Sequence, residues 1–197
     1  KKMNYPFWPE ISFCLEEVEK EKSHLKHHMN PDTLIQVREN MNHRLEQLRL
    51  SFEQYLEKQF ASLALFPLVA YLDEDMQRYL IGSKQMNWLP FQKDFYGAYN
   101  AGDLFYETID KLIENPQTPS IVLQMFYFFL KKGFLGKYRD SKVHIARYLE
   151  ILRERIPVAT PPESQITTAT DSITTQRKPR IKKWHYYVGV VAASFFL

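Results

Sequence analysis

The sequence predicts an all-α protein, a helical bundle of about seven or eight helices in two packed bundles, with a single C-terminal transmembrane helix. Three observations predict it. Glycine is scarce, 6 in 197 residues, while Leu, Glu, Lys and Gln are common, which favours helix over tight-turned sheet. Apolar residues recur at helical spacing through most of the chain, and no stretch shows sustained period-two alternation bounded by turns. After Ile156 the composition changes abruptly and ends in an uncharged, aromatic-edged segment.

Ile11, Leu15, Val18, Lys22, Leu25 and Met29 form a heptad seam with one polar position. Asn30-Pro31 then caps and restarts a helix. Its stripe runs Leu34, Arg38, Met41, Leu45, Leu48, Phe52 and Tyr55. Two matched seams around a short break predict an antiparallel helical hairpin. Counted from the turn, Lys22 and Arg38 fall within about a turn of each other, so their charges are expected together and facing water.

Phe60 to Leu80 continues as helix, with Pro67 marking a kink or a junction between two helices. Its apolar block ends in the triplet Asp73-Glu74-Asp75. Ile81 to Asn87 reads as a polar connector, and Pro90 starts a short aromatic helix. Asn100 is expected to cap the next helix, whose apolar face is Ala101, Leu104, Phe105, Ile109, Leu112 and Ile113. Thr118-Pro119 is expected to cap and start another. Ile121 to Leu130 is apolar almost all round and far shorter than the roughly 20 residues a span needs, so it is expected as the central buried helix. Gly133 stands where a left-handed cap belongs, with Phe134 folding back towards Phe129. The last amphipathic helix covers about Ser141 to Ile156.

Residues 1–156 are therefore expected as a cytoplasmic helical domain. Residues 157–176, rich in Thr, Ser and Pro, form a flexible linker. Residues 177–183 hold five basic side chains and no acidic one. Residues 184–197 carry no charge and read as the start of a transmembrane helix. As helix they reach roughly 21 Å, short of a hydrocarbon core of about 30 Å, so the span is expected to continue beyond Leu197. Lys182 and Lys183 on the basic flank, with Trp184, Tyr186 and Tyr187 at the interface, fit an anchor entering from the cytoplasmic side of a lipid bilayer. The alternative for this stretch is a buried C-terminal core helix.

Removing the tail leaves 21 basic against 23 acidic side chains in residues 1–176, which excludes a nucleic-acid-binding surface on the body. The one cysteine, Cys14, excludes an internal disulfide and reads as a small apolar helix residue. His24 and His28 share a helical spacing that can hold a metal, yet they avoid the apolar seam, as solvated residues do. No nucleotide, zinc-protease or nucleophile-elbow motif occurs, and Asp73 and Glu74 point about 100° apart on a helix. Neither an enzyme, a cofactor nor a metal is expected. Acids closing an apolar helix oppose its dipole. They require compensation from an internal arginine, a neighbouring helix N-terminus or a partner's basic surface, and the last makes Asp73, Glu74 and Asp75 candidate partner-binding residues.

The order of these features resembles the DotU/TssL/IcmH family of secretion-system proteins. Leu68-Val69-Ala70-Tyr71-Leu72-Asp73-Glu74 is similar to its "CAFLDE" segment, and Trp88 lies where the family has a Trp. Phe95-Tyr96-Gly97 and Ala101-Gly102-Asp103-Leu104-Phe105-Tyr106 resemble "FHG…AGERFF". Gly133-Phe134-Leu135-Gly136-Lys137-Tyr138-Arg139 resembles "GFxGRYR". The stretch from Arg78 to Asn87 lacks the common "TPWG", and Pro67 and Tyr71 replace more usual residues. The resemblance implies a structural subunit of a type VI or type IVB secretion complex in the bacterial inner membrane. It implies one membrane pass, an IcmF/TssM-like membrane partner and contacts with cytoplasmic components, with homo-oligomerisation left open. Gly102, Phe105, Gly133, Phe134, Gly136 and Tyr138 are expected to serve the structure. A tail-anchored adaptor recruiting a cytoplasmic client is the competing reading.

Overall fold

A computed structural model describes residues 7–81 and 87–156. Among the described residues there are seven α-helices and no strand: α1 (Phe7–His27), α2 (Pro31–Glu53), α3 (Lys58–Tyr79), α4 (Phe91–Tyr96), α5 (Ala101–Glu114), α6 (Ser120–Lys132) and α7 (Lys142–Arg155). A 3-10 turn, Gly136–Tyr138, separates the last two.

The predicted hairpin is α1 and α2. Asn30 caps α2 by accepting from Thr33 N at 2.9 Å, with Pro31 placed where its missing N–H costs nothing. Ile11, Leu15, Val18 and Leu25 meet Leu34, Met41, Leu45, Leu48 and Phe52 in the core, joined by Cys14 and Val37. The ends of the two stripes, Met29 and Tyr55, stay exposed.

Lys22 and Arg38 do not turn to water together. Lys22 Nζ sits 2.8 Å from Asp75 Oδ2 on α3. Arg38 donates from Nε to Leu89 O at 2.8 Å and pairs with Asp94. Each breaks its seam because it ties the hairpin to a different segment.

α3 is one continuous helix running through Pro67. Its neighbours hold it on several sides: it packs on α2, α4, α5 and α6. The centre of the domain is therefore α3 rather than α6. Ala61, Ala64, Leu65, Leu68, Val69, Leu72 and Met76 are inaccessible to solvent, and small alanines among large leucines let several helices approach one axis. α6 lies on α3 with Ile121, Val122, Met125, Phe126 and Phe129 inward, while Gln124, Tyr127 and Phe128 remain half-buried. Phe128 packs against Trp8 of α1 with the rings tilted and their centroids 5.2 Å apart. α7 closes the outer side of α6 mainly through Leu152.

Two expected caps are built otherwise. Asn100 precedes α5 without a capping side-chain bond. Thr118 turns away from α6, donating from Oγ1 to Leu112 O at 2.9 Å and so closing the end of α5. The left-handed cap is present as predicted. Gly133 has φ 108°, Gly133 N donates to Leu130 O at 3.1 Å and Phe134 N to Phe129 O at 3.0 Å, the paired bonds of a Schellman motif.

Candidate functional site: a buried acidic pair and a glycine contact

Asp73 and Glu74 are 2% and 6% exposed. They point apart on α3, and each lands on backbone N–H groups. Asp73 Oδ1 accepts from Phe91 N at 2.7 Å and Trp88 Nε1 at 2.9 Å, and Oδ2 accepts from Gln92 N at 2.9 Å. α4 begins behind Pro90 with no side-chain cap of its own, so Asp73 supplies one from another helix. Burial pushes the Asp73 carboxyl above the usual carboxylate range, and the donors from Gln92, Trp88 and Phe91 pull the other way.

Glu74 serves the loop after α6 in the same manner. It accepts from Gly136 N at 2.7 Å and from Leu135 N at 3.2 Å, with the Arg78 guanidinium 3.7 Å away. Gly136 is left-handed at φ 52° and lies on Gly102 of α5. A Cβ on Gly136 would stand 2.8 Å from Gly102 O, and one on Gly102 would stand 3.3 Å from Gly136 Cα. No larger residue fits at Gly136 unless the two segments part.

The rest of the resemblance converges on this knot. Phe134 lies against Phe105 at 4.3 Å, and Phe105 against Phe126 at 4.8 Å. Tyr138 meets Tyr106 edge-on at 4.6 Å, and Tyr106 donates its hydroxyl proton to Leu135 O at 2.8 Å. Sequence reasoning missed Gln92, whose Oε1 accepts from Ala101 N at 2.6 Å and so caps α5 where Asn100 does not. Nothing local marks it, because its partner lies across a turn. Tyr106 had a signal, standing inside the stretch that carries the resemblance.

Asp75 is different. It is part-buried, paired with Lys22 and 3.8 Å from Arg78. With their oxygens held by fixed backbone donors, Asp73 and Glu74 act as caps joining α3 to α4 and to the 134–138 loop. His24 in the last turn of α1 and His28 just past its end are exposed, with rings 4.8 Å apart. Among the described residues no group of three His, Cys, Asp or Glu side chains converges to hold a metal. Lys182, Lys183, Trp184, Tyr186 and Tyr187 lie outside the described residues. Among those described, no helix is long and apolar enough to cross a membrane.

Two solved structures share this fold. DotU from Francisella novicida matches with a TM-score of 0.64 at 20% identity, covering 76% of this chain and 99% of that one. SciP/TssL from enteroaggregative Escherichia coli 042 matches with a TM-score of 0.53 at 21% identity, covering 85% of this chain and 99% of that one. No curated protein sequence matches. The family model described as "Type VI secretion system protein DotU" matches residues 15–197. That match takes in the acidic pair, the glycine contact and the tail in one alignment, and the chain belongs to the DotU family of type VI secretion system proteins.

Proposed function

We propose that this chain is a structural and assembly subunit of a bacterial type VI or type IVB secretion complex, held in the inner membrane by its tail and pairing with an IcmF/TssM-like membrane protein. The helical domain stands in the cytoplasm and meets cytoplasmic components of the machine. The observation that carries this reading is the family match, whose bounds, residues 15–197, include most of the hairpin, the basic cluster and the apolar tail. The site chemistry supports a scaffold: its acids fix backbone segments in place, as a rigid contact platform requires. The basic cluster before Trp184 favours a cytoplasmic domain, since positive charge next to a span resists translocation.

Of the acidic triplet, Asp75 has the most accessible side chain, 18%, and in this reading it is the member that a basic partner surface would meet, in competition with Lys22. The test has two arms. Protease added to intact spheroplasts leaves the helical domain whole and digests it only once the inner membrane is breached; cleavage in intact spheroplasts overturns the topology. Detergent extraction of membranes recovers the chain together with its IcmF-like protein, and recovery of the chain alone overturns the pairing.

A further inference from the structure

Arg78 stands between two acids and is hydrogen-bonded to neither. Its Nη2 lies 3.7 Å from Glu74 Oε1 and 3.8 Å from Asp75 Oδ1, both longer than a hydrogen bond. Helical spacing brings it there, four residues after Glu74 and three after Asp75. A guanidinium at equal range of two carboxylates moves towards whichever is less well compensated.

The two acids are compensated by different parts of the fold. Glu74 is buried and accepts from Gly136 N at 2.7 Å and Leu135 N at 3.2 Å. Among the described residues Arg78 is the one full positive charge within 4 Å of it. Asp75 takes its positive charge from the hairpin, with Lys22 Nζ 2.8 Å from Oδ2. Lys22 is itself fixed by Glu19 at 3.1 Å and by the Tyr79 ring at 5.5 Å. Two other cations approach, Lys132 over the Tyr71 ring and Arg139 along the cleft beside Glu74. Neither pairs with Glu74 or Asp75 among the described residues, which leaves Arg78 as the charge able to shift between them.

We infer that Arg78 couples the hairpin to the 134–138 loop: Lys22 on Asp75 leaves Arg78 to Glu74, and Glu74 so compensated holds the loop against Gly102. When Lys22 leaves, Asp75 becomes the less compensated acid and draws Arg78 to itself by a rotation of the arginine side chain. Glu74 is then a buried carboxylate without a counter-charge, a state that burial disfavours, and its hold on Leu135 N and Gly136 N loosens. Gly136 of that loop rests on Gly102, so a movement of α1 relative to α3 is felt at the start of α5. An arginine placed only to oppose the α3 dipole would leave the loop indifferent to Lys22. The inference stands apart from the partner contact proposed at Asp75. Where that contact forms, the partner's cation takes the place of Lys22 and keeps the loop held.

The test reads hydrogen exchange at the Leu135 and Gly136 amides of the full chain in detergent, with the amides of Met125 to Phe129 in α6 as reference. Lys22→Met removes the charge and keeps an apolar stem. It is expected to speed exchange at 135 and 136 several-fold while the α6 amides keep the wild-type rate. Asp75→Asn gives Arg78 nothing to move to. It is expected to leave the loop at the wild-type rate and to restore that rate in the Lys22→Met background. Arg78→Gln is expected to speed the loop by itself, and adding Lys22→Met to it should change nothing more. The inference is overturned if Lys22→Met leaves the loop at the wild-type rate, or if it speeds the α6 amides equally. It is overturned as well if Asp75→Asn fails to restore protection, or if Lys22→Met still speeds the loop when Arg78 is gone.

Discussion

Gly102 and Gly136 touch backbone to backbone, and a single added methyl at Gly136 would stand 2.8 Å from the Gly102 carbonyl oxygen. The contact brings the start of α5 against the loop that leaves α6. Glu74 holds that same loop from the other side through Leu135 N and Gly136 N.

Gly136→Ala is therefore expected to cost about 2 kcal/mol or more, from the left-handed backbone and the clash together. Gly133→Val tests the backbone cost by itself, because a Cβ there has nothing within 4 Å. It should cost about 1 kcal/mol or more. Thermal melts followed by circular dichroism rank the two. A Gly136→Ala protein melting with the wild type would show that the loop can leave Gly102 freely.

Replacing Asp73 by Asn keeps size but sets an amide donor against one of three existing donors. The expected cost is about 1–3 kcal/mol, read from urea unfolding. The charge reversals Asp73→Lys and Glu74→Lys are expected to unfold the domain rather than only weaken a partner contact. Folded reversal variants would return these carboxylates to the role of partner contacts.

The Lys22–Asp75 pair joins the hairpin to α3 at 2.8 Å with both side chains part-buried. A double-mutant cycle with Lys22→Ala and Asp75→Ala should give a coupling of about 1 kcal/mol, above that of exposed pairs such as Glu150–Arg153. A coupling indistinguishable from zero would mean that hairpin and α3 are held by apolar packing alone.

Burial pushes the Cys14 thiol up to about 12, with Arg44 pulling the other way. The folded value lies above the unfolded one of about 8.5, so the folded state holds its proton longer. The resulting stability is complete below about pH 8.5 and is lost as pH rises towards 12. Native protein at pH 8 should resist a thiol reagent that modifies urea-unfolded protein at once. Rapid native labelling would place the thiol at the surface.

The local elements were legible because their causes are local. Asn30-Pro31 fixes the start of α2 within four residues, and Gly133 ends α6 because only glycine takes φ 108° without strain. The heptad stripes announced the hairpin, since period and burial are the same fact in an amphipathic helix. Caps crossing between elements were not legible. Gln92 at the start of α5 and Thr118 at the end of it answer donors and acceptors that no spacing rule connects to them.

The acidic pair shows where that boundary falls. The sequence by itself determined that two acids closing an apolar helix need compensation, because their charge opposes the helix dipole. It also determined that the body is helical and that the chain's net positive charge comes from its tail. Which compensation Asp73 and Glu74 receive was decided only in three dimensions, when α4 and the 134–138 loop brought free N–H groups to within hydrogen-bonding distance. Those donors lie 18 to 62 residues away along the chain. Periodicity reports which face of a helix is buried, and only packing decides what that face is buried against.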